Sequence, residues 1–183
     1  MNTKLKTKIS RRLSLILRHK PESIGLQLDN AGWADVQDLL SRLNKNGLHL
    51  TLKNLKEIVS SNDKQRFRFS EDGLRICANQ GHSIKVDLAL TAQKPPSILY
   101  HGTASHSVGS ILSHGLTKQS RHAVHLTEDI PMTMKVASRR GAPVLIKINA
   151  EQMHHDGYLF YLTANNVWLI ESVPSAYLTI DQS

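Results

Sequence analysis

Apolar residues recur along this chain with two periods, and the switches between them mark out its elements. Between residues 5 and 20, a step of roughly 100° per residue gathers Ile9, Leu13, Ile16 and Leu17 on one stripe and leaves Arg11, Arg12, Arg18 and His19 on the opposite face. This is an amphipathic helix with a cationic edge. Pro21 lacks an N–H and disfavours helix at the residue before it, so the helix is expected to stop near Lys20 with Arg18 and His19 in its last turn. Cations at that end complement the helix dipole, which gives the pair a structural reason to exist before any functional one. Ile24, Leu26 and Leu28 then alternate as a short strand closed by Asp29-Asn30-Ala31-Gly32. Asp35 can cap a helix carrying Val36, Leu39, Leu40 and Leu43, with Asn46-Gly47 as its stop. Thr51 caps the next, which carries Leu52, Leu55, Ile58 and Val59 up to a break at Asn62-Asp63. Arg66–Phe69 and Leu74–Ala78 alternate about Glu71-Asp72-Gly73 and predict a hairpin, and Ile84, Val86 and Leu88 predict one more strand.

The second half predicts strands with interspersed helices. Ile98–His101 enters a Gly102-Thr103 turn, Val108, Ile111 and Leu112 make a short helix ending at His114-Gly115, and Ala123–Thr127 is a strand. Pro131 sits in the first turn of a helix running to about Arg140. The unbroken apolar run Val144–Ile148 reads as a central strand; Leu159–Leu162 and Val167–Ile170 form a hairpin, and Tyr177–Ile180 closes the sheet. Lys94-Pro95-Pro96-Ser97 is the best linker, because two prolines do not fit inside a sheet. The expected organisation is α+β in two lobes, residues 1–94 and 97–183. Three helices followed by a hairpin is the order of a winged helix, a domain type often used on nucleic acids.

Composition narrows the picture. The 183 residues, 40 % apolar and 21 % charged, describe a soluble globular chain. No apolar run reaches the roughly 18 residues of a membrane span, and no leader-like apolar segment follows the basic N-terminus, so a cytoplasmic protein without membrane attachment is expected. The single cysteine, Cys77, has no intrachain partner and lies in an alternating stretch that favours a buried structural thiol. Charge is the more telling quantity: residues 1–94 hold 17 Lys and Arg against 9 Asp and Glu, and residues 95–183 hold 6 against 6. The whole excess of +8 therefore lies in the first lobe, an electrostatic footprint expected of a lobe that meets a polyanion such as a nucleic acid.

Several chemistries are excluded. The ten histidines include no zincin spacing and no CxxC accompanies them, so no metal site is expected. Neither a Walker loop nor the GxGxxG fingerprint occurs, and no serine stands in a GxSxG elbow. What remains is an Arg-His pair at the end of a basic helix, further arginines, and His101-Gly102-Thr103 at a strand end.

Those residues belong to a longer series of motifs. Leu17-Arg18-His19-Lys20-Pro21, Gly32-Trp33-Ala34, Asp63-Lys64-Gln65-Arg66-Phe67, Gln80-Gly81-His82-Ser83, Leu99-Tyr100-His101-Gly102-Thr103, Arg121-His122-Ala123-Val124-His125-Leu126 and Val167-Trp168-Leu169 occur in an order that resembles the RNA 2′-phosphotransferase (KptA) family over almost the whole chain. The resemblance implies a winged-helix RNA lobe followed by a lobe of the ADP-ribosyltransferase fold. It implies removal of an internal RNA 2′-phosphate with NAD as acceptor, giving 2′-OH RNA, ADP-ribose 1″,2″-cyclic phosphate and nicotinamide. The family's catalytic tetrad falls on Arg18, His19, Arg66 and Arg121. NAD is expected at His101, Gly102, Thr103 and His125, and RNA phosphate at His82 and Ser83. Where protein-modifying relatives carry a catalytic Glu this chain has Val173, and Glu171 nearby is expected to be a surface residue. Ala137 and Asn166 stand where glycine is common. Two other readings remain open at this stage: an NAD-dependent ADP-ribosyltransferase that caps phosphorylated nucleic-acid ends, and a non-catalytic RNA-binding protein. The physiological RNA and the oligomeric state are not specified by the sequence.

Overall fold

A computed structural model describes residues 1–62 and 64–181; Asp63, expected at a helix break and within one motif, lies outside the described residues. The chain divides into two compact units, Met1–Ala89 and Leu90–Ser183.

In the first unit, α1 (Thr3–Arg18) is followed by a 3-10 turn at Pro21–Ile24, β1 (Trp33–Asp35), α2 (Val36–Lys45), α3 (Leu52–Ser60), β2 (Phe67–Phe69) and β3 (Arg75–Ala78). Caps set the helix ends. Asn2, Asp35 and Thr51 each accept a backbone N–H through the side chain, and Thr51 forms a reciprocal capping box with Asn54. The apolar stripes of all three helices meet in one core containing Leu13, Ile16, Leu17, Leu39, Leu43, Leu55 and Ile58, with Phe67 and Ile76 from the strands. Each such side chain contributes about 1.5–3 kcal/mol by leaving water.

The three strands lie in the order β1-β3-β2, all antiparallel, so the predicted hairpin is present with an extra strand on its free side. Trp33-Ala34-Asp35 is too short for period to reveal. No strand forms at Ile24, Leu26 and Leu28: Ile24 ends the 3-10 turn, which Gly25 closes at φ +67, and Leu26 and Leu28 follow in irregular backbone. Pro21 opens that turn, and Ile24 and Leu26 are buried without joining a sheet. Ile84, Val86 and Leu88 also form no strand; Val86 is buried in a loop tied to the Asn30 carbonyl by the Asp87 N–H at 2.8 Å.

The second unit contains β4 (Ala92–Gln93), β5 (Ile98–Ala104), α4 (Ser105–His114), β6 (Leu116–Thr117), β7 (Val124–Leu126), α5 (Ile130–Ala137), β8 (Pro143–Asn149), α6 (Ala150–His155), β9 (Phe160–Leu162), β10 (Trp168–Ile170), β11 (Ser172–Val173) and β12 (Leu178–Ile180). They form sheets in the orders β4-β9-β10-β7, β12-β8-β5 and β11-β6. The apolar run expected to be central is central: β8 is flanked on both sides and pairs with β5 over seven positions, Ile98↔Asn149 to Ala104↔Pro143. A second core holds Leu99, Leu126, Ile146, Ile148, Met153, Phe160 and Trp168. The prolines of 94–97 lie inside this unit, because Ala92 and Gln93 already pair with Tyr161 and Phe160. Among the described residues no helix is long and apolar enough to cross a membrane.

Candidate functional site

The first unit assembles its cations around the end of α1. His19 caps the helix, its backbone N–H bonding the Leu15 carbonyl, and the turn at Pro21 prevents continuation. Arg18 and His19 are both half-buried. The Arg18 guanidinium reaches the Arg66 carbonyl at 3.4 Å and lies 6.0 Å from the centroid of the Phe67 ring. Arg66 immediately precedes β2. Its Nη1 donates to Asn62 Oδ1 at 3.1 Å, while Asn62 Nδ2 donates to Ser10 Oγ on α1 at 3.0 Å, so one asparagine links Arg66 to the helix that bears Arg18.

Loop 79–83 closes the cluster. The Asn79 N–H bonds the Arg66 carbonyl and the Ser83 N–H bonds the Arg18 carbonyl, both at 2.9 Å. Ser83 Oγ is 2.9 Å from His19 Nδ1. Ser83 is exposed, but His82 has no exposed surface and packs 3.5 Å from the position a Gly32 Cβ would take. Of the two residues expected to meet RNA phosphate, Ser83 is thus at the surface and His82 in the interior. Two guanidinium groups, one imidazole and one hydroxyl thus share one end of one helix, a donor set suited to phosphate.

In the second unit, His101 and Gly102 lie on β5 beside β7. His101 Nδ1 is 3.0 Å from the His125 carbonyl. A carbonyl only accepts, so Nδ1 carries the hydrogen and neutral His101 presents Nε2 as an acceptor. Desolvation holds the His101 pKa below 6.5, with Arg121 and Arg140 adding to the effect against the His125 hydrogen bond. Arg121 stands in the exposed loop between β6 and β7, its N–H bonded to the Lys118 carbonyl at 2.9 Å. Partial desolvation, then the Arg140 charge, lower the pKa of its guanidinium. Gly102 has a packing reason to be glycine: a Cβ there would lie 2.7 Å from the Thr133 carbonyl oxygen and 3.1 Å from the Ala137 Cβ on α5. Thr103 is half-buried one residue on. Val173 is buried in β11, whereas Glu171 is exposed and pairs with Lys118 at 3.3 Å, as expected of a surface residue. Asn166 adopts φ +57, a left-handed conformation that asparagine tolerates. Among the described residues no three His, Cys, Asp or Glu side chains group to hold a metal.

A family model described as "RNA 2′-phosphotransferase, Tpt1 / KptA family" matches residues 4–172. The chain belongs to this family. A relative from Rhodopirellula baltica named "Probable RNA 2′-phosphotransferase" is 50 % identical over 93 % of each chain. Relatives of the same name from Burkholderia pseudomallei and Flavobacterium johnsoniae are each 47 % identical, over 94 % of both chains and over 97 % and 98 % respectively.

The motifs shared with RNA 2′-phosphotransferases named the cations but not what holds them. Asn62 was legible only as a helix breaker, and Ser10 only as a polar residue beside the apolar stripe. Asn79, buried and accepting from Arg68 at 2.8 Å while donating to the Gln65 carbonyl, had no sequence signal of its own.

Proposed function

We propose that this chain is an NAD-consuming RNA 2′-phosphotransferase, moving an internal 2′-phosphate of RNA onto NAD with release of nicotinamide and ADP-ribose 1″,2″-cyclic phosphate. In this reading the first unit is a winged-helix RNA lobe and the second an ADP-ribosyltransferase-like lobe. The observation that carries it is the gathering of Arg18, His19 and Arg66 at one helix end in a chain that matches the family over nearly its whole length. The single buried cysteine suits a reducing cytoplasm.

NAD would serve as a co-substrate: the 2′-phosphate would displace nicotinamide from C1″, and the ribose 2″-hydroxyl would then displace the RNA 2′-oxygen from phosphorus. The donor set of the second unit fits such a group, since neutral His101 with its Nδ1–H engaged presents Nε2 to a ribose hydroxyl. In our reading His101, Gly102, Thr103 and His125 hold NAD, Gly102 by letting α5 lie close behind β5.

A phosphate is already an anion, so the first attack needs placement rather than a base. This agrees with a valine at 173. The second attack accumulates charge on phosphoryl oxygens, which guanidinium forks stabilise. We assign Arg18 and Arg66 to that role and, on the family resemblance, Arg121 to a phosphate contact of its own, with His19, oriented by Ser83, contacting the phosphate and moving a proton in the second step. Ser83 also meets RNA, while His82 holds the loop from inside.

The test is an RNA carrying one labelled internal 2′-phosphate, incubated with and without NAD. Label should leave the RNA only when NAD is present. Loss of label without NAD, or retention with it, would overturn the proposal.

A further inference from the structure

The outer face of α1 has a feature the catalytic reading does not use. Lys4, Lys8, Arg11, Leu15 and Arg18 follow one another at steps of four, three, four and three residues and so lie in one line along the helix. At about 1.5 Å per residue this line is about 20 Å long, and its C-terminal end is Arg18. Beside its N-terminal part runs a groove of about 590 Å³, bounded by Lys4, Lys8, Arg11 and Arg12 and by Asn46-Gly47-Leu48 after α2. No carboxylate lines it. Leu15 and Leu48, both half-exposed, supply its apolar lining.

The charges in the groove are uncompensated. Lys4, Lys8, Arg11 and Arg12 are exposed and make no ion pair among the described residues, whereas Lys6, on another face of the same helix, pairs with Glu57 at 2.8 Å. Four like charges on one helix face oppose folding slightly through mutual repulsion. The packing of the unit gives no reason for them, since the stripe that builds the core is the opposite one.

We propose that this face is a track for the sugar-phosphate backbone of the RNA on one side of the 2′-phosphorylated nucleotide. It leads from Arg18 toward Lys4, with the groove holding phosphates remote from the reacting one. The inference rests on the proposed function and deepens it: the substrate is an RNA strand extending several nucleotides to one side, gripped without regard to sequence through its phosphates. Lys4, Lys8 and Arg11 bind there and take no part in the chemistry.

The full-length chain carrying Lys4→Gln, Lys8→Gln and Arg11→Gln provides the test, because glutamine keeps the helix propensity and the buried stripe is untouched. Two RNAs are compared, one with a single nucleotide on either side of the 2′-phosphate and one extended on both sides; versions extended on one side only identify the direction. Binding is read by anisotropy without NAD, and turnover with it. The triple variant should bind the extended RNA at least tenfold more weakly at low salt. Its slope of log affinity against log salt should be shallower by about 2, the value for three lost single-strand phosphate contacts. The short RNA should be turned over as by the wild type. Equal binding and slope on the extended RNA, or equal losses on both RNAs, would overturn the track. Wild-type protein that binds the extended RNA but removes phosphate from neither would instead refute the function while leaving the binding comparison readable.

Discussion

Arg121 is the residue whose removal should separate the two steps. Charge builds on phosphorus chiefly in the second, so Arg121→Ala should slow that step by the cost of one lost oxyanion donor, about 3–4 kcal/mol. The first step keeps Arg18 and Arg66, and ADP-ribosylated RNA should accumulate in a time course that resolves substrate, intermediate and product. Lysine at 121 should rescue only in part, having charge without the planar fork. Equal loss of substrate consumption and product, with no intermediate at any time, would assign Arg121 to binding or to the first step. His101 makes a second prediction. Its folded pKa lies below 6.5, so between that lowered value and 6.5 the unfolded chain binds more protons, and stability rises with pH through the window. The same sign governs NAD: the neutral acceptor is lost on acidification with a midpoint below 6.5. The KM for NAD should accordingly climb with a midpoint on the acid side of 6.5; a midpoint above 6.5 would contradict the assignment.

At the scale of elements, the contact between β5 and α5 is the sharpest test. Gly102→Ala would place a methyl 2.7 Å from the Thr133 carbonyl oxygen and 2.8 Å from its Cγ2, so the helix must shift away from the strand. The expected cost is about 1–3 kcal/mol, seen as a lower urea midpoint. Gly109→Ala, inside α4 with nothing within 4 Å of its Cβ position, is the control and should be neutral or stabilising by up to about 1 kcal/mol. Equal midpoints for the two variants would remove the packing account. The helices of the first unit were legible because burial there is periodic over two turns or more and their caps are spelled out: Asp35 and Thr51 stand where the sequence puts them. The strands were legible where long or unbroken, as in β8. Alternation misled at Ile24–Leu28 and Ile84–Leu88, where side chains reach the interior from a turn and a loop rather than a sheet. It missed β1 and β4, whose two or three residues carry no period. Helix α6 was missed too, although Asn149 caps it and Ala150 and Met153 are buried.

Across the whole molecule, the division of charge and the division of packing nearly coincide. The composition shift lies at the prolines of 94–97, while the compact units part after Ala89, since the first strand of the second unit precedes the prolines. Of the candidate site, the sequence supplied the cations through seven ordered motifs. It could not supply Asn62, Ser10 or Asn79, whose roles exist only once distant segments meet. Nor could it show that His82 is buried while Ser83 beside it is exposed. If phosphate leaves RNA by transfer to NAD, nicotinamide and label must be released together. RNA with one labelled internal 2′-phosphate is incubated with NAD in the presence of EDTA, since in the proposed reaction guanidinium groups meet the phosphoryl charge. One nicotinamide should be released for each phosphate removed, and all the removed label should appear in ADP-ribose 1″,2″-cyclic phosphate. Nicotinamide release with the label held permanently on RNA would show ADP-ribosylation that stops at the first step; label released without nicotinamide, or EDTA inhibition reversed by a divalent metal, would contradict the account outright.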